Sequence, residues 1–375
     1  MRLAGLGWVT PLGSTLDGVW EKLQAGESAA AKSLGQGPGE KGLEGFPVPQ
    51  EVSAEASRHP RLRRSSAISR FAVVAGLAAL HDAAVELDEA SAGRTALVFA
   101  ISNGGVIYTK RFFHEIVQSG AQTASPLLFP ETVFNAPASH LAAILGITGA
   151  SYTLVGDGAV GLLALRMAED LMMVNPELDR CLVVGAEELD WLLCDAYRRW
   201  RLLRAAPPIA PFAQVAHGTI LSEGAGAVLV AREGEAVEIE QIHPGGNFAR
   251  QRELAGQLEA IARDLAPNDS VDLFLASANG TFIDAAERSV AAKHFPKAAV
   301  YTMKPAVGES VAASGIWQTI CAVLALRRQE LPPLLGIPKG FGLTTARKPP
   351  GEAWRRAVVS TCGLNQQVAA LTLRI

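Results

Sequence analysis

Four stretches of this chain run apolar without alternation, three of them ending on small residues and one entered through them: RTALVFAISNGG from Arg94, RCLVVGAEE from Arg180, VDLFLASANGT from Val271, and SEGAGAVLV from Ser222. A strand with one wet face alternates apolar and polar residues, whereas a strand covered on both faces does not. Strands of the second kind need helices above and below them. Helical patterns lie before, between and after them, in FAVVAGLAAL, YTKRFFHEIVQSG, GLLALRMAEDL and SGIWQTICAVLALRR. The constraint selects an α/β architecture with buried, mostly parallel sheets. At 375 residues, 49% hydrophobic and 19% charged, the chain carries enough apolar material for several such layers.

Residues 28 to 66, rich in Gly, Pro, Ser and charge, read as an irregular excursion over the surface. A helix is predicted from about Ser69 to Val85, with Ala72, Ala75, Gly76 and Ala79 small enough for close packing. ALVFAISNGG, from Ala96, and DLFLASANGT, from Asp272, share an apolar strand, small residues and an Asn-Gly turn. The chain therefore reads as two similar halves, 1–232 and 233–375, in one two-lobed unit.

Composition narrows the function classes. A formal net charge of −3 gives no broad field for nucleic acid. Cys181, Cys194, Cys321 and Cys362 are far apart and form no CxxC, so they read as reduced thiols. Gly5, Gly7 and Pro11 interrupt the N-terminus where a secretion signal would be apolar. The longest strongly apolar run, Phe71 to Leu80, is too short to span a bilayer. A soluble, cytoplasmic protein with no metal or cofactor is expected.

Taken in order, the segments resemble the β-ketoacyl synthase branch of the thiolase-fold superfamily over nearly the whole chain. The landmarks are GLGWVTPLGSTLDGVWEKLQAGES, the segment around Asn135, LGITGASYT, VVGAEE, Pro211-Phe212 and HGTILSEGAGAVLV. The resemblance implies two βαβαβ halves in a five-layered α-β-α-β-α arrangement. It also implies a chemistry: a cysteine at a helix N-terminus carries the acyl thioester, two histidines serve the decarboxylation, and backbone N–H groups form an oxyanion hole.

Each of those positions departs from the family pattern. The cysteine position, counted from Ser151-Tyr152, falls on Gly158, with Asp157 as the candidate if the count is one residue off. The first histidine, of a His-Gly-Thr motif, is replaced by Asn279. The second follows a Lys landmark, kept as Lys304, and is replaced by Glu309. The Gly-Phe-Gly-Gly gate and oxyanion loop reads Gly363-Leu364-Asn365-Gln366. None of the seven histidines falls on either motif, so no condensing activity is expected of this chain alone.

The resemblance then points to a non-catalytic partner of an active ketosynthase, similar to the chain-length factors of bacterial type II polyketide systems, including aryl polyene systems. Such a chain walls its partner's acyl tunnel, and Tyr108, Phe112, Phe113, Val133 and Phe134 are the candidates for the tunnel or interface. Acyl carrier protein is a further candidate partner, for which Arg198, Arg199, Arg201 and Arg204 form a basic loop. Two alternatives stay open: a malonyl decarboxylase or acyltransferase using Asn279, Lys304, Glu309 and Asp157, and a homodimer that binds an acyl chain or carrier protein without reacting. Lys304 is also expected to pair with Glu309 as a structural repair, because burying either charge alone is costly. Glu223 is expected to support the start of its strand.

Overall fold

In the strand Thr95–Ile101 (β2) every residue is buried, and the pleat divides them between two environments. Ala96, Val98 and Ala100 pack into one hydrophobic layer, and Leu97, Phe99 and Ile101 into another. The small residues face the crowded middle of the molecule and the large ones an outer helix layer. The computed structural model describes residues 1–34, 43–54, 56–234, 237–265 and 271–375. Part of the predicted surface excursion, 35–42 and 55, lies outside the described residues.

The N-terminal strands are Arg2–Val9 (β1), β2, Ser151–Val155 (β3), Arg180–Glu187 (β4) and Gly224–Ala231 (β5). The C-terminal strands are Glu238–Ile242 (β6), Leu273–Leu275 (β7), Ala299–Tyr301 (β8), Arg356–Cys362 (β9) and Gln367–Arg374 (β10). The first set runs β1-β5-β4-β2-β3 and the second β6-β10-β9-β7-β8, which is the same order in both sets. The first two pairings in each set are antiparallel and the last two parallel. The sheets are therefore mixed rather than mostly parallel as the unbroken apolar runs suggested, since burial on both faces does not require parallel neighbours. The strands of the sequence echo, β2 and β7, hold equivalent places. A single pairing, Arg2 with Glu238, joins β1 to β6 and makes the two sets one continuous sheet path.

Five layers follow from what each face touches. Between the two sets lie Val160–Val174 (α5) and Ser314–Arg328 (α10). Every residue of α10 from Ser314 to Leu326 is buried, as a helix enclosed on all sides requires. Two of its polar side chains donate to strand carbonyls: Trp317 Nε1 to Ala225 O at 2.8 Å, and Gln318 Nε2 to Ser360 O at 2.8 Å. Outside the first set lie Ala67–Asp82 (α2) and Ala136–Leu145 (α4), and outside the second Leu254–Leu265 (α7) and Ile283–His294 (α8). Leu16–Gln24 (α1) and Val106–Ser119 (α3) complete the N-terminal part.

The two outermost strands differ. Val300 of β8 donates its N–H to Thr344 O, so a loop covers that edge. Strand β3 pairs with β2 alone among the described strands, and its Tyr152 and Val155 are 45% and 52% exposed. The basic segment is also not all loop. Trp191–Arg199 (α6) is a helix capped by Asp190, and Arg198 and Arg199 sit in its last turn against Asp195. Arg201 and Arg204 follow it. No helix among the described residues is long and apolar enough to cross a membrane.

Close packing of α2 on β1 depends on Gly5 and Gly7, where a Cβ would run into the carbonyl oxygens of Ala79 and Ala75. Gly7→Ala is therefore expected to destabilise the fold by about 1–3 kcal/mol through overpacking. Gly256→Ala, in the exposed first turn of α7 where a Cβ meets nothing within 4 Å, is expected to stabilise it by about 0.5 kcal/mol. Urea midpoints of the two variants measure the contrast.

Candidate functional site

Three chain segments leave the sheets at one place. Strand β3 runs through Gly156-Asp157-Gly158 into α5, β7 runs through Ala276–Thr281 toward α8, and β9 turns into β10 through Gly363–Gln366. Beside them, the short helix Lys304–Val307 (α9) ends at Gly308, which delivers Glu309. All four changed catalytic positions from the sequence lie on these segments.

Two of them, Asn279 and Glu309, form one buried network with the retained Lys304. Asn279, Lys304 and Glu309 are 0%, 2% and 3% exposed. Glu309 Oε2 accepts from Asn279 Nδ2 at 2.8 Å and from Lys304 Nζ at 2.5 Å. Lys304 Nζ also donates to Ser277 Oγ at 3.0 Å. Asn279 Oδ1 accepts from Thr281 Oγ1 at 2.7 Å and Thr281 N at 3.2 Å, so both ends of the amide are engaged. Asp284 fixes the backbone below it by accepting from Asn279 N, Gly280 N and Phe212 N at 2.7–3.0 Å. Burial raises the Asp284 carboxyl to about 6, with those N–H donors acting against the shift. The lysine and the amide both donate to Oε2 of the glutamate, while its Oε1 is buried without a hydrogen-bond partner.

Gly158 lies at the start of α5, whose N-cap Ala159 offers no side-chain cap. A Cβ on Gly158 would sit 3.1 Å from Gly363 Cα and 3.2 Å from Cys362 O, so the β9–β10 turn lies directly over it. Asp157, half-buried, turns its carboxylate to that turn, and Oδ2 accepts from Asn365 N at 2.6 Å. Burial raises its carboxyl above the usual carboxylate range, while the N–H groups of Gly158, Asn365 and Gln367 oppose the shift and Glu309 adds to it. In the turn, Gly363 is buried, Leu364 half-buried, and Asn365 and Gln366 exposed. Gln366 adopts φ +84, a left-handed value that favours glycine.

The sequence matches the Beta-ketoacyl synthase N-terminal domain over residues 3–236 and the C-terminal domain over residues 238–337. The chain belongs to the β-ketoacyl synthase family. Among curated relatives of this synthase homologue, a 3-oxoacyl-[acyl-carrier-protein] synthase 2 of Coxiella burnetii is 24% identical, covering 89% of this chain and 87% of its own length. A polyketide biosynthesis malonyl-ACP decarboxylase, PksF, of Bacillus subtilis is 28% identical, covering 72% and 70%. Among solved structures, the ishigamide ketosynthase/chain length factor superposes with a TM-score of 0.85 at 18% identity, covering 100% of this chain and 98% of its own. A β-ketoacyl synthase of Burkholderia phymatum gives 0.84 at 19%, with the same coverage. These structures establish the thiolase-like fold.

The aromatic residues picked from the sequence divide into two groups. Phe113 and Phe134 line a groove of about 940 Å³ with Asn103, Val106, Lys110 and Val117. Phe113 is 64% exposed, and Val133 beside Phe134 is also exposed. Tyr108 instead anchors α3, donating its hydroxyl to Arg64 O at 2.7 Å and lying near Ser65 O, and Phe112 packs on Phe129 with ring centroids 5.8 Å apart. Glu223 accepts from Val48 N and Leu189 N and so ties two loops to the start of β5. The four cysteines are free and buried.

Sequence reasoning passed over Ser277, Asp284, Tyr197 and Gln367. Ser277 and Asp284 flank the Asn-Gly echo and could have been read from it. Tyr197 gave no signal. It is buried on α6, hydrogen-bonded to Asn103, and its hydroxyl is raised by burial and then by the carboxylates of Asp157, Glu187 and Glu309. Asn103 thus borders both the groove and the site. No histidine approaches the network: His59, His81, His114 and His217 are exposed, while His140, His243 and His294 lie against Glu131, Asp264 and Glu259.

Removing one member of the Lys304–Glu309 pair leaves a buried, uncompensated charge. Lys304→Met is expected to cost about 3–5 kcal/mol, and the double variant Lys304→Met/Glu309→Leu less than the single one, as urea denaturation will measure. Behind the network, fully buried Glu287 faces Cys362 Sγ at 3.6 Å, and burial raises its carboxyl from the ordinary 4.5 to about 7. The folded chain binds that proton more tightly than the unfolded chain. Stability from this group is therefore complete below pH 4.5 and is lost as pH rises through about 7. Glu287→Gln is expected to flatten the decline in urea midpoint across that window.

Proposed function

We propose that this chain is a non-condensing partner of an active ketosynthase, in the manner of a chain-length factor, in a bacterial type II polyketide or fatty-acid-like pathway. The observation that carries the reading is the closed Lys304–Glu309–Asn279 network beside Gly158. At the positions where the family uses a thiol and two imidazoles, this chain has a glycine, an amide and a carboxylate paired with Lys304. A covalent acyl carrier is required by the family's pathway, and each general acid or base contributes on the order of 10²- to 10⁴-fold.

What the chain does expose suits a partner. Strand β3 has an uncovered edge, and the apolar groove with Phe113, Val117 and Phe134 opens on the surface. One solved structure of the same fold is a ketosynthase/chain length factor, and another holds a type II polyketide acyl-carrier protein in complex with its ketosynthase. Heterodimer formation, carrier-protein binding and the tunnel role of Phe113 and Phe134 belong to this proposal.

The test is reconstitution. Co-expressed with ketosynthases encoded beside it, the chain is expected to form a 1:1 complex with one of them, and Phe113→Ala to change the length of the complex's product. A stable homodimer indifferent to every such synthase would sink the partnership. The name of the Bacillus relative favours one second reading, malonyl decarboxylation at Asn279, Lys304 and Glu309. Release of carbon dioxide from malonyl-carrier protein by the purified chain, abolished in Asn279→Ala, would establish it instead.

A further inference from the structure

The β9–β10 turn is stapled to a segment 208 residues away. Two bonds cross between the same segments in opposite directions: Asn365 N donates to Asp157 Oδ2 at 2.6 Å, and Asp157 N donates to the side-chain Oε1 of Gln367 at 2.8 Å. The turn is closed on itself by Gly363 N donating to Gln367 O at 2.7 Å, and tied outward by Phe248 N donating to Gln366 O at 2.9 Å. A Cβ on Gly363 would overlap the Asp157 carboxylate, so that carboxylate fills the space the glycine leaves. The same turn crowds the missing Cβ of Gly158.

The side chain absent at 158, the one absent at 363 and the carboxylate at 157 are therefore parts of one closure. We infer that Asp157 is a latch: its carboxylate, with the Gln367 carboxamide, holds the β9–β10 turn shut over Gly158 and the start of α5. The inference goes beyond the partner reading and holds whether or not the chain pairs with a synthase, because it concerns this chain's own loop. Hydrogen bonds to a charged acceptor stabilise more than neutral ones, so loss of the carboxylate is expected to open the turn on the order of tenfold more often.

Two measurements test it on the full chain. By amide hydrogen exchange, Asp157→Ala is expected to accelerate Asn365 on the order of tenfold while Val368 and Ala369 in β10 keep their wild-type rates. Asp157→Asn, which retains an oxygen acceptor, is expected to stay closer to wild type. Gly363→Ala is expected to be strongly destabilising alone and much less so in the Asp157→Ala background, a non-additivity that direct contact requires. If Asp157→Ala does not fold, Gln367→Ala removes the reciprocal bond alone and is expected to accelerate Asn365 in the same way. Unchanged exchange at Asn365 in the folded variant, or additive costs for Gly363→Ala and Asp157→Ala, overturns the latch.

Discussion

The structure depends on a helix layer buried between two sheets. Helix α10 is enclosed from Ser314 to Leu326, and α5 buries its first turns from Val160 to Leu165 almost completely, so the polar groups there must be satisfied by the structure around them. Trp317 and Gln318 show how this is met within α10, by donating to strand carbonyls. The start of α5 is where the requirement meets function. The sequence resemblance puts the family's reactive position at this terminus, which carries a glycine beneath a turn.

The same requirement explains why the changed positions form a network. An ionised group in this interior must find a partner, and Glu309 has two, Lys304 and Asn279. Asn279 is held at both ends, its oxygen by Thr281 and its nitrogen by Glu309. The replacements are mutually compatible, and the site has the organisation of a hydrophobic core that happens to be polar.

Much of the fold was legible because its strands are covered on both faces and announce themselves as unbroken apolar runs. The strand pattern around Ala96 and Asp272 also marked the internal echo, and the layered thiolase-like arrangement followed from the family resemblance. What was not legible depended on tertiary neighbours. WLLCDAYRR merged with the basic residues after it, so the helix carrying Arg198 and Arg199 was taken for loop. Phe112 and Phe113 are adjacent in sequence, yet the turn of α3 sends one against Phe129 and the other to the surface. Gln367 lies just past the motif loop, and only the fold brings its carboxamide to Asp157.

The two strand sets share an order but not an edge. The outer strand of one is sealed by the Thr344 carbonyl, while the outer strand of the other presents its backbone to solvent. A sheet open at both ends can add neighbours indefinitely and grow into a fibre. One open at a single end has a valence of one along the hydrogen-bonding direction. Among the described residues, an association that extends this sheet through a second copy of the chain therefore terminates with that copy.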